Sequence, residues 1–311
     1  MDDKTVKPGR RRFIGVLGAF GLTAGLPSLA MQERDRTVIK RAIPSSGELL
    51  PVVGLGTSRT FDAGDDAAAH DRLRNVLQVF FEQGGALIDT SPMYGSAEYV
   101  LGQLLPGVNQ HGNLFTATKV WTEGRQRGIE QMQTSQQLLG VPVIDLMQIH
   151  NLVDWQVHLE TLRDWKQAGR IRYIGITTHR GYNHAELTRI MESEALDFVQ
   201  FSYSLANREA ENFILPLAAE RGIATLINRP YQRGDLFQRV RGKALPGWAG
   251  EFDCSSWGQF FLKFVLADPA VTCVIPGTSK VKHMNDNMAA GYGRLPDADQ
   301  RQRMISYVAD V

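Results

Sequence analysis

Four titratable side chains of different kinds stand at, or just beyond, places where short apolar runs stop. Asp89 closes Ala-Leu-Ile-Asp, Tyr94 lies in Asp-Thr-Ser-Pro-Met-Tyr-Gly, Lys119 closes Phe-Thr-Ala-Thr-Lys, and His150 closes Asp-Leu-Met-Gln-Ile-His. A carboxylate, a phenol, an ammonium and an imidazole brought to one place can deliver a proton to an oxygen whose negative charge is growing, and can stabilise that charge. Singly, each has a plain structural explanation. An Asp before a turn caps a helix, a Lys after a strand reaches solvent, and a His at a strand end packs in a core. The four carry chemical meaning only if the fold gathers them.

From residue 50 onward, short apolar runs alternate with longer amphipathic stretches, the pattern of a parallel sheet with helices outside it. Strands are expected over 52–55, 86–89, 114–119, 144–149, 173–177, 198–201, 224–227 and 272–275, with helical patterns such as 67–83, 124–139 and 155–167 between them. Eight strands in this rhythm favour an α/β fold of the closed (β/α)8 TIM-barrel class over an open doubly wound sheet, and no Gly-x-Gly-x-x-Gly follows the first strand. In a barrel the ends of strands two, three and four meet on one rim, which would unite the four side chains. Residues 37–51 alternate polar and apolar around Pro44-Ser45-Ser46-Gly47 and read as a hairpin plugging the barrel bottom. The longest irregular stretch, 232–256 between strands seven and eight, offers Phe237, Trp248 and Phe252 as pocket walls.

The segment Leu87-Ile88-Asp89-Thr90-Ser91-Pro92-Met93-Tyr94-Gly95 with Glu98 resembles the aldo-keto reductase signature around its Asp and Tyr. Thr118-Lys119-Val120-Trp121 and Asp145-Leu146-Met147-Gln148-Ile149-His150 resemble that family's Lys and His segments, and the likeness runs in family order from about residue 40 to 292. The resemblance implies reduction of aldehydes or ketones by hydride from a nicotinamide cofactor. Hydride goes to carbon and a proton to oxygen, so Tyr94 would be the acid. A free phenol, with a pKa of about 10, transfers its proton poorly at neutral pH, and Lys119 beside it is expected to lower that value. Asp89 would hold Lys119 charged and oriented, and His150 would hydrogen-bond the substrate oxygen.

The same resemblance assigns the cofactor. Thr177 and Thr178, the latter where the family usually has Asn, would hold the carboxamide together with Gln200, and Thr57 would make a further contact. Asn228 takes the place of an aromatic that in many relatives stacks on nicotinamide. Gly277, Thr278, Ser279 and Lys280 would hold phosphate at a helix start, with Asn287 near the adenine and His283 where many relatives carry Arg or Gln. Lys280 favours NADPH, with NADH the alternative. Trp121, Asn151 and Trp248 would line the substrate pocket.

The formal charge of +1 is uneven: residues 1–30 hold Lys4, Lys7, Arg10, Arg11 and Arg12 against Asp2 and Asp3, a net +3, so the remainder stands at −2. That nearly neutral remainder gives no electrostatic reason to expect nucleic acid, and a small carbonyl compound is the expected partner. The basic start and the apolar stretch 13–30, ending Ser28-Leu29-Ala30, read as an export signal cleaved after Ala30, leaving 31–36 as a leader and 37–311 as the barrel. Arg10-Arg11-Arg12-Phe13-Ile14 resembles a twin-arginine address, which implies passage through that machinery to the periplasm; uncleaved, the stretch would anchor the chain to the membrane. Cys254 and Cys273 lack metal-ligand spacing, no metal is expected, and Cys273 in Val-Thr-Cys-Val-Ile reads as a buried thiol rather than half a disulfide. A monomer is expected. Since NADPH is made in the cytoplasm, an exported reductase would have to retain its cofactor. A redox-sensing subunit with bound cofactor is the alternative function, and Schiff-base chemistry at Lys119 a third.

Overall fold

Strands that are apolar on both faces must be covered on both, and helices following each strand supply that cover. The computed structural model, which describes residues 1–2, 37–109, 111–179 and 183–309, shows this arrangement. The export segment and the leader expected over 1–36 lie, beyond the first two positions, outside the described residues. Among the described residues no helix is long and apolar enough to cross a membrane.

A hairpin of β1 (Lys40–Ala42) and β2 (Leu49–Pro51) comes first. Eight parallel strands follow: β3 (Leu55–Gly56), β4 (Leu87–Asp89), β5 (Phe115–Val120), β6 (Ile144–His150), β7 (Ile171–Thr177), β8 (Phe198–Ser202), β9 (Ala224–Asn228) and β10 (Cys273–Val274). Each pairs with the next in sequence, the order that right-handed crossovers through helices produce. The ring closes across a short seam. Val53 bridges Val274, the Gly54 amide donates to the Val274 carbonyl at 2.9 Å, and the Gly56 amide donates to the Pro276 carbonyl at 3.2 Å. Gly54 is needed there, because a Cβ would stand 2.8 Å from the Leu87 carbonyl oxygen.

The helices are α1 (Ala67–Glu82), α2 (Ala97–Leu104), α3 (Arg125–Leu139), α4 (Trp155–Gln167), α5 (His184–Ser193), α6 (Ile214–Arg221), α7 (Asp235–Arg239), α8 (Trp257–Leu266), α9 (Val281–Ala289) and α10 (Ala298–Ala309). Their form follows from sequence. In α1 the Asp66 side chain caps the Ala69 amide at 3.1 Å, and Leu73, Val76, Leu77, Phe80 and Phe81 make the three-and-four-spaced stripe buried against the sheet.

Strand alternation sorts the barrel interior into layers. At the bottom, Leu87, Phe115, Tyr173, Phe198 and Ala224 pack with Ile43 and Leu50 of the hairpin, which plugs that end as expected. The Tyr173 hydroxyl pins the hairpin by donating to Glu48 at 2.6 Å. Two residues beyond Leu87 on β4, four beyond Phe115 on β5, two beyond Leu146 on β6 and two beyond Phe198 on β8, the same inward phase reaches Asp89, Lys119, Gln148 and Gln200. A polar top on an apolar barrel is thus a consequence of period-two patterning.

Two expectations about the region between β9 and β10 change. It is less irregular than its glycines suggest, containing α7 and a turn of 3-10 helix over Gly247–Phe252. Trp248 is not a pocket wall. Its ring packs against Phe252, Phe260 and Tyr307 with centroids 6.2, 5.7 and 5.9 Å away, under the Arg303 guanidinium. The aromatic surface of α8 and α10 buries it more completely than a solvated cleft would. Phe252 is wholly buried in the same cluster, and Phe237 alone of the three faces the cleft. Cys254 and Cys273 are both buried and unpaired thiols.

Candidate active site

The carboxyl ends of the strands open into one cleft of about 970 Å³. Asp89, Tyr94 and His150 line it, while Lys119 is completely buried just beneath. The Lys119 ammonium donates to Asp89 Oδ2 at 2.8 Å and to the Thr90 carbonyl at 2.6 Å. It also lies 5.0 Å from the centre of the Tyr94 ring, close enough for the ammonium and the phenol to act on each other's ionisation. The four side chains are therefore gathered. Burial alone would discharge Lys119, but the Asp89 carboxylate and the phenol outweigh it and raise its pKa, so the ammonium stays charged.

The phenol itself departs from expectation. Burial pushes the Tyr94 pKa up; Lys119 pulls it down, as Arg229 does more weakly, and neither overcomes the burial. Proximity to an ammonium was the right contact with the wrong net sign, because sequence shows charges and not desolvation. The phenol is consequently protonated through neutral pH, with a fixed cation beside it to stabilise the anion left by proton transfer.

His150 is driven down to about 2 by burial, by Lys119 and by His179, so it is neutral at working pH. Its Nδ1 lies 3.1 Å from Ser91 Oγ, and its ring meets Tyr94 edge-on at 90° with centroids 5.9 Å apart. A Ser91 hydroxyl donating to Nδ1 would leave the proton on Nε2 and make it a neutral donor. Trp121, expected in the substrate pocket, is not among the residues that line the cleft; it is 41% exposed, with its ring 6.3 Å from His150. Asn151 lines the cleft in a left-handed conformation, φ 54°, and pairs with His179 Nδ1 at 2.8 Å.

Around the barrel top the expected cofactor residues divide. Thr57, Thr177, Thr178, Gln200, Asn228, Gly277, Thr278, His283 and Asn287 all line the cleft. Ser279 and Lys280 do not; Lys280 caps α9, its amide donating to Thr278 Oγ1 at 3.1 Å, and Lys282 one residue into the helix faces the cleft instead. Three observations fit a nicotinamide dinucleotide. Thr178 Oγ1 is buried with no hydrogen-bond partner among the described residues, a vacancy that an amide could fill. Gly56 and Gly277 approach so closely that a Cβ on Gly277 would stand 2.8 Å from the Gly56 carbonyl oxygen, leaving bare backbone for phosphate. The cleft is also long enough to run from Tyr94 to Asn287. Among the described residues no cluster of His, Cys, Asp or Glu could hold a metal ion.

Several lining residues escaped the sequence reading. Arg59, Arg229 and Arg233 all have positive φ, of 66°, 52° and 60°, which nothing in an Arg side chain foretells. Tyr231 lines the cleft as well. Its hydroxyl donates to Asn287 Oδ1 at 2.6 Å and its ring packs on Phe237 with centroids 4.9 Å apart. Asp286 accepts from Ser256 Oγ at 2.7 Å and from Gln259 Nε2 at 2.8 Å; its place beside Asn287 was the available signal.

The geometry can be set beside known proteins. A model of the Aldo/keto reductase family matches residues 52–303. The methylglyoxal reductase YeaE of Escherichia coli is 26% identical over 266 residues, 84% of this chain and 92% of that protein. The NADH-specific methylglyoxal reductase of the same organism is 26% identical over 272 residues, 68% of this chain and 80% of that protein. An aldo/keto reductase from Klebsiella pneumoniae, solved in complex with NADP and acetate, superposes with a TM-score of 0.70 at 21% identity, covering 84% of this chain and 93% of the other.

Proposed function

This chain belongs to the aldo/keto reductase family, and from that premise we propose that it reduces an aldehyde or ketone to the alcohol, with NADPH as hydride donor and Tyr94 as proton donor. The observation that carries the reading is the buried Lys119–Asp89 pair, closed at 2.8 Å, pressed against a phenol that burial keeps protonated. Relatives named for methylglyoxal reduction, and one named NADH-specific, support a carbonyl substrate and keep NADH as the alternative cofactor.

When bound, NADPH supplies hydride to the carbonyl carbon. Thr177, Thr178, Gln200 and Asn228 would hold its carboxamide, Gly277 and Thr278 its phosphates, and Asn287 its adenine. The chain's own part is to orient and protonate. Neutral His150 donates a hydrogen bond to the carbonyl oxygen and polarises it without competing for the proton. Tyr94 gives that oxygen its proton, and Lys119, held by Asp89, balances the phenolate that remains. The test is loss of the reduced cofactor's near-ultraviolet absorbance with a panel of neutral aldehydes, 2-oxoaldehydes and ketones. Saturable oxidation dependent on the carbonyl is expected. Tight nucleotide binding with no turnover on any of them would replace this reading with a redox-sensing role.

We also propose export. The basic and apolar stretch of residues 1–30 supports a twin-arginine route to the periplasm, with cleavage after Ala30. Protein recovered from the periplasm should begin at Met31, and an intact chain confined to the cytoplasm would sink the idea.

A further inference from the structure

Asp89 is held from two sides. Its Oδ2 receives Lys119, while Oδ1 receives two amides, Gln148 Nε2 at 3.0 Å and Gln200 Nε2 at 2.8 Å. The two glutamines differ in what else they face. Gln200 lines the cleft, and its carboxamide is fully engaged. Its two N–H groups serve Asp89 and Gln148 Oε1, the latter at 3.1 Å, and its oxygen receives Thr177 Oγ1 at 3.2 Å and Asn228 Nδ2 at 3.4 Å. A primary amide offers two donors and two lone pairs. Gln200 can therefore meet a ligand's amide only by releasing one of these partners.

Gln148 has no such freedom. It is completely buried, stands in register with Lys119 across β5 and β6, and is absent from the cleft lining. Its Cγ lies over Gly175, where even an added Cβ would come within 3.0 Å. One donor to Asp89 faces the ligand site and can exchange; the other cannot turn.

We propose that Gln148 is a positioning residue for proton transfer, the fixed donor that keeps Asp89 in place while Gln200 exchanges partners, so that Lys119 stays aimed at Tyr94 throughout the reaction cycle. Without it, Asp89 Oδ1 hangs on Gln200 alone, the donor that faces the ligand site, and a ligand that draws that amide away strips a nearly buried carboxylate oxygen of every donor. A buried acceptor left unmet rearranges to find one, and Asp89 can do so only by turning away from Lys119. The inference rests on the proposed reductase reading only for what engages Gln200.

Three variants test it: Gln148→Leu, Gln200→Leu and the double variant, each checked for folding by circular dichroism. The readout needs no substrate. The ionisation of Tyr94 is followed by its phenolate absorbance in a stopped-flow pH jump, as the difference from the same chain carrying Tyr94→Phe. Each single variant keeps one donor and should move the midpoint little, while the double variant should move it upward by more than the sum of the two. With NADP+ added, Gln148→Leu alone should titrate like the double variant. In turnover, Gln148→Leu should lower kcat about 10- to 100-fold with the carbonyl KM unchanged. Additive shifts in the double variant, or a Gln148→Leu midpoint equal to wild type with NADP+ bound, would overturn the proposal. So would failure of both Gln148→Leu and Gln148→Met to fold, which would make the residue a core determinant. A chain with no reductase activity would defeat the proposed reaction and leave the double-variant titration standing.

Discussion

Tyr94→Phe is expected to lower kcat by about 100- to 10,000-fold while cofactor affinity and carbonyl KM stay close to wild type. The substitution deletes one oxygen and leaves the ring, with its edge contact to His150 and its place over Lys119. No neighbour can take over as acid. His150, with its pKa down at about 2, carries no second proton to give, and the Lys119 pKa is raised, so its proton is held more tightly than usual. The pH profile follows with its sign. The acid must be protonated to act, and burial has moved the phenol above its ordinary range. The rate of the chemical step should thus be flat through neutrality and fall only on the alkaline side, as the phenol ionises. Single-turnover reduction across pH, in wild type and Tyr94→Phe, checks both statements. A variant retaining a tenth or more of wild-type kcat, or a wild-type inflection near pH 6.5 traceable to an imidazole, would remove Tyr94 from the role.

Lys119→Met should cost the fold about 3–5 kcal/mol and abolish measurable turnover. The pair it breaks is almost entirely out of solvent, with side-chain exposures of 0% and 4%. Removing the ammonium leaves Asp89 as a buried charge whose only remaining donors are amides, and it takes away the cation that balances the phenolate. Because the Lys119 pKa is raised in the fold, its stabilisation is complete below its unfolded pKa of about 10.4 and is lost only as pH climbs through the higher folded value. Urea unfolding at neutral pH, monitored by tryptophan fluorescence, measures the loss. Adding Asp89→Leu should recover part of it, since an apolar pair in place of an ion pair leaves no charge unmet. A double variant less stable than Lys119→Met would contradict this account.

The barrel was legible because its signal is periodic. Apolar runs at the right spacing gave eight strands within a few residues, and the expected helix over 155–167 is the one observed as Trp155–Gln167. Asp89, Lys119 and His150 could be found because each interrupts an apolar run at its end. Gln148 was overlooked for the same reason in reverse: it sits inside the run that His150 closes, where alternation alone would reveal that it shares the inward face. Other features have no local signature. Trp248 belongs to an aromatic cluster assembled from α8 and α10, which its own neighbours in sequence do not announce. The choice between Lys280 and Lys282 as the lysine facing the cleft depends on where α9 begins, and helix boundaries are set by a single residue's backbone angles. The upward push on the Tyr94 phenol depends on the depth of burial, a property of the whole rim.

The seam where β3 meets β10 gives the barrel its thinnest wall, since each of those strands is only two residues long. The bare backbone of Gly56 and Gly277, the proposed phosphate cradle, continues directly from that seam. A dinucleotide lying there would act as mortar between the first and last staves, so holding the nucleotide and keeping the barrel shut would be one property and not two. For a protein proposed to be exported to the periplasm, that would make an empty chain the more fragile traveller.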